Sequence, residues 1–91
     1  MTYQTPRGTR DFLPAEMIKR QFIVDTARRT FEKWGFDPLD TPAFEEYELL
    51  SAKAGDAIKD EIYYFKDKSD RELGLRFDFT VPTARVVATN P

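Results

Sequence analysis

The stretch IYYFKDKSDRELGLRFDFTV, residues 62–81, decides how this chain is read. IYYF at 62–65 is aromatic and β-favouring, and KDKSD at 66–70 is a polar turn. Leu73 to Val81 returns as a second strand, which predicts a β-hairpin. Within it Leu75, Phe77, Phe79 and Val81 alternate with Arg76, Asp78 and Thr80. Successive strand side chains point to opposite faces, so one face should be wholly apolar and packed on a core. The other should present a cation, a carboxylate and a hydroxyl at intervals of about 7 Å. A carboxylate beside a hydroxyl can grip an ammonium group, the first supplying charge and the second accepting a further hydrogen bond. A plain solvent-facing strand has the same pattern, and alternation alone does not separate the two.

Upstream, residues 15–34 predict a long helix. Pro14 stands where a first-turn proline is tolerated, Glu16 lies where the helix dipole favours an acid, and Gly35 follows as a left-handed cap. Met17, Ile23, Val24, Ala27, Phe31 and Trp34 fall on one stripe about 120° wide. Ile18 and Phe22 pair on the opposite, charged face and imply a second contact surface, covered either by the N-terminal arm or by a partner chain. Residues 1–14 read as that arm, extended because Pro6, Gly8 and Pro14 break helices, and Phe12 and Leu13 give it reason to pack. Its Arg7 and Arg10 could meet a phosphate or an acidic end of the chain, or stay as exposed charges on an ordinary turn.

Pro38 and Pro42 make residues 36–48 an extended or edge segment, able to pair with another chain. Residues 47–54 predict a short helix closed by Gly55, residues 56–61 a polar loop, and residues 83–89 a last helix. The fold class expected is α+β, one small domain at most.

Composition narrows function further. The 91 residues hold 14 Lys and Arg against 16 Asp and Glu, a net charge of −2, which excludes a nucleic-acid module driven by bulk positive charge. There is no Cys and no His, so disulfides, thiol nucleophiles and histidine general bases are excluded, and zinc sites built on these ligands with them. No apolar run nears the roughly 18 residues of a membrane helix, and the N-terminal residues lack the apolar core of a secretory signal. No Walker loop, GxGxxG or diagnostic carboxylate pair is present.

Three blocks together resemble the start of the histidyl-tRNA synthetases, class II aminoacyl-tRNA synthetases. RGTRDFLP at 7–14 is similar to the family's opening block. FEKWGFDPLDTPAFE at 31–45 is similar to the first class II motif, and LRFDFTVPTARVVA at 75–88 to the Arg-x-Asp-Leu-Thr-x-Pro block. The resemblance covers nearly the whole chain. It departs at Phe79, where the family usually carries Leu or Gly.

The resemblance implies a homodimer role around the first motif, with Ile18, Phe22, Phe36 and Pro42 at the interface. It implies that Asp78 and Thr80 hold the α-amino group of histidine, Phe79 lending only backbone. It implies a parent ligase, cytoplasmic, that uses ATP with Mg²⁺ to make histidyl-adenylate and charges tRNA(His). The chain would then be the N-terminal part of the catalytic domain, inactive alone. The second and third motifs and the anticodon-binding domain would lie beyond Pro91. No residue here is assigned to ATP, to a metal or to catalysis proper. Two alternatives stay open: a non-catalytic paralogue such as the regulatory subunit of ATP phosphoribosyltransferase, and a stand-alone dimerisation module.

Overall fold

A computed structural model describes residues 2–91. The chain falls into two compact units, residues 1–39 and 40–91.

The first unit is an arm followed by a long helix. A turn at Arg7–Gly8, with Gly8 at φ 85°, is closed by the Thr9 N–H donating to the Pro6 carbonyl at 3.0 Å. Helix α1 then runs Pro14–Lys33, with Glu16 in its first turn and Lys33 in its last. Its end follows from chain chemistry. Gly35 takes φ 88°, which a Cβ would disfavour. The Gly35 N–H donates to the Glu32 carbonyl at 3.1 Å, and the Phe36 N–H to the Phe31 carbonyl at 3.1 Å. This is the Schellman pairing, and its usual apolar contact is present as Phe31 and Phe36, edge to face with centroids 6.0 Å apart.

Helix α1 contains no buried residue. The apolar stripe is open, with Phe31 59% and Trp34 80% exposed. Its residues Ile23, Val24, Ala27 and Phe31 line a groove of about 620 Å³ with Phe36 and Leu39, both from the segment that follows the helix. Nor does the arm cover the opposite pair. Arm residue Phe12 sits between two guanidinium groups instead, Arg10 at 4.2 Å and Arg20 at 4.0 Å from its ring centre. Arg10 also grips Glu16 with both terminal nitrogens, at 2.8 and 3.1 Å. That pair lowers the Glu16 pKa and sets Arg10 at the helix start. Ile18 and Phe22 stay 67% and 69% exposed.

The second unit carries an antiparallel sheet of three strands, β1 (Phe44–Glu46), β2 (Tyr64–Lys66) and β3 (Glu72–Leu75), in the order β1-β3-β2. Phe44 pairs with Leu75 and Phe65 with Leu73. Helix α2 (Tyr47–Ser51) and a 3₁₀ turn at Asp56–Asp60 supply Tyr47, Leu50 and Ile58 to a small core with Leu73. The polar loop expected at 56–61 is thus a turn that buries Ile58. Ala57 and Ile58, adjacent among charges, give no periodicity to read. Gly74 is required where β3 meets this core, because a Cβ there would lie 2.9 Å from the Cδ1 atoms of both Ile62 and Leu50.

The hairpin is present but shorter than expected. Its turn is organised by Asp67, whose carboxylate accepts from the Ser69 and Arg71 N–H groups, both at 2.9 Å, and from Arg71 Nε at 2.7 Å. The strand expected over Leu73–Val81 stops at Leu75, and helix α3 (Thr80–Thr89) begins five residues later. Pro82 explains the change. It has no N–H to continue a ladder, and its fixed φ suits a first helical turn, where the N–H would be unpaired anyway. The Thr83 N–H closes that turn onto the Phe79 carbonyl at 3.1 Å. Phe77 and Phe79 therefore do not line an apolar core face; they are 52% and 63% exposed.

Candidate ligand site at the start of the third helix

Asp78, Phe79 and Thr80 come together as the entry to α3, not as one face of a strand. Asp78 Oδ1 accepts the Thr80 N–H at 3.2 Å, which satisfies one of the unpaired donors of the first turn. Among the described residues no ion pair reaches the Asp78 carboxylate, and both Asp78 and Thr80 are exposed. The positive end of the α3 dipole would oppose an ammonium group at this spot, so the Asp78 charge must decide the sign of the local field. The arrangement can bind a cation with one carboxylate and one hydroxyl.

Two side chains fix this corner, and sequence reasoning gave neither a structural part. Arg76 Nη1 donates to the Thr41 carbonyl and hydroxyl, both at 2.8 Å, and to the Pro42 carbonyl at 3.1 Å. Its guanidinium carbon lies 4.3 Å from the centre of the Phe79 ring. Phe79 is thus packed by its side chain against Arg76 and does not face a core. The second is Arg85 on α3. It binds the Glu45 carboxylate of β1 through Nε at 2.9 and 3.1 Å and Nη2 at 3.0 Å. Glu45 is only 6% exposed. A charge inside the apolar run Ala84-Arg85-Val86-Val87 was the available signal.

Of the residues expected at a subunit interface, Ile18, Phe22 and Phe36 belong to the first unit and Pro42 to the second. Ile18 and Phe22 are exposed together on α1, Phe36 rests on Phe31, and the Pro42 carbonyl is held by Arg76.

The comparisons with known proteins agree with one another. The family described as histidyl-tRNA synthetase matches residues 8–91. A histidine–tRNA ligase from Methanococcus maripaludis is 49% identical over 83 residues, 91% of this chain and 20% of the relative. The histidyl-tRNA synthetase structure from Nostoc sp. PCC 7120 superposes with a TM-score of 0.82 at 38% identity, covering 98% of this chain and 20% of that one. A Bacillus halodurans structure described as an ATP phosphoribosyltransferase regulatory subunit/histidyl-tRNA synthetase gives 0.80 at 32% identity, covering 96% and 23%. The chain spans about a fifth of the length of the curated relatives it matches. The matched α+β architecture, the sequence blocks and the family match together place this chain in the histidyl-tRNA synthetase family.

Proposed function

We propose that this chain is the N-terminal part of the catalytic domain of a cytoplasmic, homodimeric class II histidine–tRNA ligase. In that reading the carboxylate of histidine attacks the α-phosphate of ATP, giving histidyl-adenylate and pyrophosphate. The histidyl group then passes to the terminal adenosine of tRNA(His). This segment holds the substrate's α-amino group with the Asp78 carboxylate and the Thr80 hydroxyl, while Phe79 supplies backbone. The observation that carries the reading is the unpaired, exposed Asp78 carboxylate fixed beside Thr80 at the start of α3. An ammonium there gains a charge-assisted hydrogen bond, worth roughly twice a neutral one. The family's reaction draws on Mg²⁺. Among the described residues no group of three or more acids is placed to hold a metal ion, so no step is assigned through one. No helix among them is long and apolar enough to cross a membrane.

The interface part of the reading rests on Ile18 and Phe22. The arm leaves them uncovered, and in this reading a second subunit buries them. A second reading, the non-catalytic regulatory paralogue, is favoured only by the double description of the Bacillus halodurans relative. Histidine-dependent ATP–pyrophosphate exchange by the full-length protein separates the two. A ligase exchanges, and Asp78→Ala raises its histidine KM with the ATP KM unmoved. Exchange absent from the wild type would favour the paralogue, and an unchanged histidine KM in Asp78→Ala would remove the amino-group assignment.

A further inference from the structure

We infer that Arg76 is a positioning residue for the amino-group site, holding the linker before α3 against Thr41–Pro42 and so setting where Asp78 stands. The inference rests on the reading of Asp78 and Thr80 given above and deepens it. The linker Arg76–Phe79 lies between the end of β3 and the first residue of α3 and belongs to neither. Its last tie to the sheet edge is the Arg76 N–H, which donates to the Ala43 carbonyl at 3.0 Å. Beyond that point the guanidinium takes over. Nη1 reaches three oxygens of Thr41 and Pro42 at 2.8 to 3.1 Å, and the guanidinium carbon lies over the Phe79 ring, 4.3 Å from its centre. Phe79 is the residue between Asp78 and Thr80, so a hold on its ring restrains the backbone between them.

The charge arrangement fits the same role. Among the described residues no ion pair joins Arg76 to Asp78. Arg76 spends its charge on carbonyls and a π face, which leaves the carboxylate unneutralised for an ammonium ligand. Lysine cannot replace it. A single ammonium is a point charge without the planar fork that bonds at one edge and stacks on its face.

The test compares two ligands of the full-length enzyme, histidine and imidazolepropionate, which keeps the ring and the carboxylate and lacks the amino group. The ratio of their dissociation constants reads the amino-group contact alone. Arg76→Lys is expected to cut histidine's advantage about tenfold, with imidazolepropionate binding within about twofold of wild type. Thr41→Val keeps the shape, removes one of the three acceptors, and is expected to cut it about threefold. Asp78→Asn is the reference and should cut it furthest. A purely structural role for Arg76 weakens both ligands together and leaves the ratio unmoved, which would overturn the inference. Should Arg76→Lys not fold, Thr41→Val decides alone by the same criterion. An Asp78→Asn ratio equal to wild type would bring down the site reading and the inference together. An effect of Asp78→Asn with Arg76→Lys and Thr41→Val silent would remove the inference only.

Discussion

Cutting the Glu45–Arg85 pair should loosen α3 far more than removing both partners. Glu45 is 6% exposed and receives three hydrogen bonds from Arg85, whose side chain is 31% exposed. Breaking a fully buried pair costs about 3–5 kcal/mol, and an exposed pair contributes about 0–1 kcal/mol. With one partner buried and the other a third exposed, we expect about 2–3 kcal/mol for Arg85→Met. Most of that is the cost of stranding the Glu45 carboxylate away from water. Replacing both residues, Glu45→Met with Arg85→Met, removes the stranded charge and should recover most of the loss. The assay is native-state hydrogen exchange of the α3 amides in the full-length protein. At 1.4 kcal/mol per tenfold, the single variant should exchange roughly 30- to 150-fold faster at these amides, through local opening. A single variant within about twofold of wild type, or a double variant as fast as the single, would refute the stranded-charge argument.

Gly74→Ala places a Cβ 2.9 Å from the Cδ1 atoms of Ile62 and of buried Leu50, so these side chains must shift to admit it. A cost of about 1–3 kcal/mol is expected, read as a lower thermal midpoint, and an unchanged midpoint would mean the core has room there. The hydrogen bond from Tyr64 to the Glu72 carboxylate, with burial second, pushes the Tyr64 phenol up to about 12. A raised pKa means this bond stabilises the fold fully below the ordinary tyrosine range and loses its effect as pH climbs through about 12. Ultraviolet titration of wild type against Tyr64→Phe should isolate that late phenol, and Glu72→Gln should bring it down; no late phenol would contradict the bond. Ile18→Lys with Phe22→Lys should convert the full-length protein from dimer to monomer in sedimentation. A dimer that survives both charges would move the interface elsewhere.

How much was legible depended on whether the sequence carried a period. Helix α1 was readable to within a residue at each end, since Pro14, Glu16 and Gly35 mark its limits chemically. Its apolar stripe was readable as a stripe, but periodicity cannot say what covers a face. The hairpin was readable from its aromatic run and polar turn, yet LRFDFTV kept the alternation of a strand after the strand had ended. Pro82 was the signal against a longer strand, and the apparent period of two outweighed it. Asp78 and Thr80 were picked out by a shared strand face and by the resemblance, and the structure sets them together instead at the entry to α3, where Asp78 accepts the Thr80 N–H. The role of Arg76 was out of reach. Its partners stand 34 and 35 residues away, and a link from an arginine to backbone carbonyls leaves no pattern in the sequence.

The central claim is that Asp78 and Thr80 hold the amino group of histidine. A crystal structure of the full-length protein with histidine bound tests it most directly. The account predicts the ammonium nitrogen at about 2.7–3.2 Å from an Asp78 carboxylate oxygen and from Thr80 Oγ1. Histidine bound with its ammonium on other residues, and Asp78 bonded only to the Thr80 N–H, would contradict it.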